Sequence, residues 1–155
     1  MNKINYIQRT RDLYRAQGFD KDYVWAEYED IPFTPLAKHL SDSTVTIVST
    51  GVIEPDIPKP LREAKSYPFS DLPPKLNSDE LAWDKVTTHT DDRQSYFPLE
   101  VLEEFVAVNR IGRLASRFHF VPTDYSQKNT LEKDAPAILE ACRQDNVDIA
   151  ILIPL

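Results

Sequence analysis

One cysteine, Cys142, stands alone in 155 residues. An intrachain disulfide is thereby excluded, and so is a zinc cluster of several thiolates. Glycine is equally scarce. Gly18, Gly51 and Gly112 are the only three, too scattered to build the glycine-rich turns that cradle nucleotide phosphates. No apolar run approaches the roughly 18 residues of a membrane-spanning helix. The opening stretch MNKINYIQRTRDLYR is too polar for the apolar core of a secretory signal, so the cytoplasm is the expected compartment. Positive charge is short as well: 18 basic residues face 25 acidic ones, a net charge of −7. That balance disfavours phosphate backbones and anionic bilayers, so neither nucleic acid nor membrane is expected as a partner. A small anionic substrate stays compatible, because a local site can be positive on an acidic protein.

Proline, in contrast, is plentiful, and it punctuates residues 52–79 at positions 55, 58, 60, 68, 73 and 74. This segment has neither helical nor strand period. It reads as a long proline-rich loop, a lid or partner surface, with Tyr67, Phe69 and Leu72 as apolar handles. Residues 1–40 read as an amino-terminal arm. A helix from about Ile4 to Gln17 carries Tyr6, Ile7, Leu13 and Tyr14 on one side and stops at Gly18. The aromatics Tyr23, Trp25 and Tyr28 follow it.

Elsewhere strands and helices alternate. Val45–Thr50 is rich in β-branched residues and ends at Gly51. A second strand is expected over Trp83–Thr88. Pro98 opens a helix buried along Leu99, Leu102, Phe105 and Val106. Leu114–Val121 reads as a strand, and Asp134–Gln144 as a helix with Ile138, Leu139 and Cys142 inward, Pro136 in its first turn and Leu131 and Glu132 in a separate turn before it. The last residues, 147–155, form a continuous apolar run that suits a central parallel strand covered on both faces. Alternation of this kind predicts one α/β domain over 1–155, with a mostly parallel, Rossmann-like or flavodoxin-like sheet and right-handed crossovers. In such a sheet the site lies beyond the carboxyl ends of the strands. The helix that should cover the last strand is missing, so the domain reads as incomplete at its carboxyl end.

Three places offer chemistry. His89, Asp91 and Asp92 sit together after the expected second strand. A histidine beside carboxylates can hold a proton near neutral pH, and the alternative is a solvated turn with an Asx cap. Thr50 and Gly51 close the first strand, where backbone N–H groups could hold an anion or simply make a tight turn. His119, between Phe118 and Phe120, faces away from both and points to a site or to solvent. Cys142 reads as a buried, inert thiol on an apolar stripe. No metal set has supporting spacing, so none is expected, and metal-assisted hydrolysis at His89 and Asp91 is the weakest functional reading.

Taken in order, the motifs resemble a known family. Trp25 to Val52 (WAEYEDIPFTPLAKHLSDSTVTIVSTGV) is similar to the opening of the selenoprotein B family of glycine, sarcosine, betaine and D-proline reductases, in its short single-domain members. The likeness continues through Val86-Thr87-Thr88-His89-Thr90-Asp91-Asp92-Arg93, Phe97-Pro98-Leu99, Ile111-Gly112-Arg113-Leu114-Ala115, Arg117-Phe118-His119 and 145–155. In that family a selenocysteine or cysteine, then proline, one residue and a second cysteine, follow the last strand at once. The resemblance therefore implies a redox centre immediately after Leu155, with no catalytic residue inside 1–155; an in-frame UGA is the expected reason that the sequence stops there, and the alternative is a real stop that leaves a protein without the catalytic centre. It also implies a thiol- or selenol-dependent oxidoreductase, reductive cleavage of C–N bonds in the large members, a small-molecule substrate, a thiol or selenoprotein redox partner and a possible homo-oligomer. His89, Asp91 and Asp92 would then line the substrate site near the selenium, with Thr50, Gly51 and His119 as further substrate contacts. The competing reading is a non-catalytic α/β protein that binds a ligand or partner.

Overall fold

A computed structural model of the chain describes residues 5–22, 24–77, 86–87, 89–123 and 126–155. Residues 1–33 and 34–155 form separate compact units.

In the first unit, α1 spans Tyr6–Ala16. The Asn5 side chain caps its start by accepting from the Gln8 N–H at 3.2 Å. Gly18, at φ +89°, ends it in a Schellman turn. The Gly18 N–H donates to the Arg15 carbonyl and the Phe19 N–H to the Tyr14 carbonyl. The Tyr14 and Phe19 rings meet edge-on at 5.7 Å, the apolar contact that accompanies this motif. The expected stop at Gly18 thus has a geometric reason.

The second unit is a five-stranded, mostly parallel sheet with helices. Its elements are β1 (Thr44–Ser49), β2 (Lys65–Pro68), α2 (Leu99–Ala107), β3 (Arg113–Leu114), β4 (Arg117–Phe120), α3 (Gln127–Asn129), α4 (Ala135–Gln144) and β5 (Ile149–Ile153). β1 pairs in parallel with β3, β4 and β5, and β2 joins β4 antiparallel. β3 and β4 share one edge of β1, where the Val45 and Ser49 carbonyls accept from Ala115 and Val121. The other edge belongs to β5, where Thr44 O accepts from Asp148.

Side-chain alternation sorts the sheet into two faces. Val45, Ile47 and Phe118 turn to the main core with Leu76, Phe97, Leu99, Leu102 and Ile111, and Ile149, Ile151 and Ile153 pack against it. Val48, His119 and Leu152 form one row across β1, β4 and β5 on the opposite face.

Three expectations need correction. The last strand is not a central one, since among the described strands β5 pairs with β1 alone. Its burial alternates, with Leu152 73% exposed. The unbroken apolar run hid that only the isoleucine face reaches the core. Residues 52–77 are not devoid of regular structure either. They contain β2, and Tyr67, Phe69 and Leu72 pack against the core. A four-residue edge strand that ends in Pro68 is too short to print a period, and Pro is tolerated there. Finally, Leu131 and Glu132 belong to a π-helical stretch, Thr130–Asp134, that joins α3 to α4. Pro136 would clash with the carbonyl four residues earlier in a regular helix, and a π-bulge directly before it relieves that conflict. Of the expected strand Trp83–Thr88, residues 83–85 and 88 lie outside the described residues, while Val86 and Thr87 form a turn. Among the described residues no helix is long and apolar enough to cross a membrane.

Candidate functional site at the carboxyl edge of the sheet

β1, β4 and β5 run in parallel, so Thr50, Val121 and Pro154 emerge at the same edge. Thr50 ties two of the strand ends together. Its hydroxyl accepts from the Leu155 N–H at 2.8 Å and donates to the Leu155 carbonyl at 3.2 Å. Gly51 is buried, and its N–H donates to Ser49 Oγ at 3.1 Å, so that donor is already engaged inside the protein. Leu76 sits directly against Gly51, and Val52 bridges to Asn77.

The same 73–77 segment anchors the second predicted group. Arg93 donates to Pro73 O at 2.9 Å. Lys75 Nζ meets Asp91 Oδ1 at 2.6 Å, and the hydrogen bond from Lys75 holds the Asp91 carboxyl below its usual range. Tyr96 Oη accepts from the Leu76 N–H and donates to Thr90 O, both at 3.2 Å. His89, Asp91 and Asp92 are all exposed. The Asp91 N–H donates to His89 Nδ1 at 3.4 Å, and the two side chains approach to 3.8 Å. Asp92 caps the turn Arg93–Ser95 by accepting from the Gln94 N–H at 3.1 Å. The predicted residues therefore fall in three places: His89, Asp91 and Asp92, exposed around the buried Thr90; Thr50 and Gly51 at the end of β1; and His119 by itself on β4.

His119 is the better-defined member. It is fully buried, with Nδ1 2.8 Å from Ser66 Oγ and Nε2 3.4 Å from Cys142 Sγ. Register explains the first contact, because Ser66 pairs with His119 across β2 and β4. The second follows from how α4 ends. Asn146, at φ +52°, closes a Schellman turn in which the Val147 N–H donates to the Cys142 carbonyl at 2.9 Å. Next to this pair Arg117 Nε meets Asp145 Oδ2 at 2.8 Å, and its second nitrogen reaches Oδ1 at 2.9 Å. That bidentate pair pins α4 to β4.

Burial and, secondarily, Arg117 push the His119 pKa down, and burial pushes the Cys142 thiol up. Asp145 is held low by its hydrogen bond from Arg117. Ser66, Arg117 and Asp145 were not singled out from sequence. A signal was available: Arg117 and His119 are two apart on a strand, Cys142 and Asp145 three apart on a helix, so each pair shares a face.

The lowered His119 pKa gives a stability prediction. The unfolded chain protonates its histidine near 6.5 while the folded chain resists it. Stability is fully present above pH 6.5 and falls as pH drops from there through the folded pKa. Urea unfolding of wild type should weaken between pH 7 and about pH 5. His119→Gln should be less stable at pH 7 yet lose a smaller increment over that window. An equal loss in both proteins would remove His119 as the source.

No family model, curated protein or solved structure matches the chain. Among the described residues no group of three or more His, Cys, Asp or Glu is arranged to hold a metal ion.

Proposed function

We propose that this chain is the sheet-forming part of a thiol- or selenol-dependent reductase akin to the selenoprotein B group of glycine, sarcosine, betaine and D-proline reductases. In this reading the fold is flavodoxin-like, with β1 flanked by β4 and β5 and the substrate crevice beyond their carboxyl ends. The observation that carries it is the tie between Thr50 and Leu155. It holds the backbone at the end of β5 against the end of β1, where the resemblance would have the redox residue follow. His89, Asp91 and Asp92, anchored to the same edge through Lys75–Asn77, form the exposed wall of that crevice. A selenolate or low-pKa thiolate there is the nucleophile, and the chain itself contributes substrate contacts.

The test begins with the gene beyond codon 155. The expected result is UGA, or a cysteine codon, followed in frame by proline and a nearby cysteine. The full product should then cleave an amino-acid C–N bond with dithiothreitol as electron source and lose that activity on alkylation. Ligand binding with no thiol consumption, in a product with no redox residue, would leave the binding-protein reading in its place.

A further inference from the structure

We propose that Cys142 is a reactive thiol in its own right, with His119 as its base and Ser66 orienting the imidazole, and that it exchanges with small uncharged organic disulfides entering the cavity beside α4. The inference does not depend on the reductase reading, because every group it uses lies within the described residues.

Nucleophile, base and orienting group are the arrangement that activates weak nucleophiles, and all three are present in a line. Cys142 Sγ lies 3.4 Å from His119 Nε2, and His119 Nδ1 lies 2.8 Å from Ser66 Oγ. With Nδ1–H donating to Ser66, Nε2 is left as the acceptor that faces the thiol. The imidazole is neutral at neutral pH because burial disfavours its charge, so it is free to accept a proton.

The thiol also has a place for a reactant. Cys142 lines a cavity of 610 Å³ together with Val48, Ile138, Leu139, Leu152 and Pro154. That volume suits a small ligand. The walls are mainly aliphatic, and among the described residues the lining contains no Lys, Arg or His. Nothing there neutralises a carboxylate or phosphate, and Asp134 and Asp148 in the lining repel one, which selects against an anionic reactant and leaves neutral disulfides admitted by the aliphatic walls. The cavity runs from the thiol to Thr50 and Pro154, so it opens at the edge where the strands end.

The incoming disulfide is itself the oxidant, and no further one is needed. Cys142 Sγ attacks one sulfur of R–S–S–R while its proton passes to His119 Nε2. The Cys142 S–S bond forms as the S–S bond of the reactant breaks. The leaving thiolate takes the proton from Nε2 and departs as RSH. The electron pair of the broken S–S bond departs with the leaving sulfur, which falls from the disulfide to the thiol level as Cys142 Sγ rises from the thiol to the disulfide level and ends in a mixed disulfide. Because the thiol pKa is raised, little thiolate exists at rest, and reaction depends on His119.

The experiment is intact-mass spectrometry of the full chain exposed to 2-hydroxyethyl disulfide and, in parallel, to oxidised glutathione. One cysteine in the chain makes an adduct unambiguous. Wild type should gain a single adduct from the neutral disulfide, faster than from glutathione, and Cys142→Ser should gain none. His119→Gln should slow the exchange by at least about tenfold. The wild-type rate should rise through the imidazole titration and level off by about pH 7. A rate that climbs tenfold per pH unit into the thiol range, above 9, overturns the role of His119, and this readout stands even if His119→Gln does not fold. Adduct formation that parallels the unfolded fraction in a urea series overturns the proposal outright. So does a glutathione rate equal to that of the neutral disulfide.

Discussion

Phe118→Ala is expected to remove about 3–5 kcal/mol of stability, a large part of the roughly 5–15 kcal/mol that holds a domain together. Phe118 is 1% exposed at the middle of an aromatic cluster. Its ring centre lies 5.1 Å from Phe97, edge-on, 5.4 Å from Phe69 and 5.7 Å from Tyr67. Truncation forfeits the transfer energy of the ring, opens a void, and removes aromatic pairs worth about 0.5–1.5 kcal/mol each beyond area. Three partners from β2, the turn after it and the segment before α2 cannot all close on one gap. Phe118→Leu keeps most of the volume and should cost less than half as much. The measurement is the urea midpoint at constant slope. A loss under about 1 kcal/mol for Phe118→Ala would mean that the cluster does not organise the core. A second consequence reaches the site. Tyr67 stacks on Phe118 while its neighbour Ser66 contacts His119. Loosening β2 should therefore also slow disulfide exchange at Cys142.

How much of this was legible in the sequence differs by element. β1 and α4 were, because each prints its own pattern: a β-branched run before Gly51, and an apolar stripe after Pro136, of which Cys142 and Ile138 turn inward but Leu139 is exposed. The stop at Gly18 was legible too. β2 was not, since four residues next to proline have no room to alternate and their partner strand lies 50 residues away. β5 was recognised as a strand but given the wrong place in the sheet, because an apolar sequence does not say which faces are covered. The candidate site divides along the same line. Thr50 and Gly51 are placed at the end of β1 by local rules about strand ends, though the Gly51 N–H is taken up by Ser49. His119 was flagged with its direction open, and only the β2 register and the end of α4 decide that it meets Ser66 and Cys142. Cys142 reads from the sequence as a buried thiol, and it is buried with its pKa raised. Its contact with His119 on β4, on which the reactivity proposed above rests, is reported by no local pattern.

Gly112→Ala should cost about 1–3 kcal/mol or more, and the three glycines together show why. A Cβ at Gly112 would lie 2.8 Å from both Asp42 C and Ser43 O and 2.9 Å from Ser43 N. Those are main-chain atoms, which cannot rotate aside. The chains must separate, and the bonds that hold them there, Gly112 N to Leu40 O at 3.1 Å and Arg113 N to Ser43 O at 3.2 Å, must stretch. A Cβ at Gly51 would lie 2.5 Å from Leu76 Cδ1, the end of a side chain, though one that is fully buried. Gly51→Ala should therefore cost less, as Leu76 changes rotamer at the expense of its packing. A Cβ at Gly18 would have nothing within 4 Å, but the residue sits at φ +89°, so alanine there pays only the left-handed penalty of about 1–2 kcal/mol. Thermal melts should rank Gly112→Ala well below Gly51→Ala, at roughly 2–4 °C per kcal/mol for a chain of this size. The reverse order would mean that the main chains at Gly112 and Ser43 are not in contact. The contact matters beyond stability. Ser43 immediately precedes β1, whose other end leads into Thr50 and Gly51 at the candidate site.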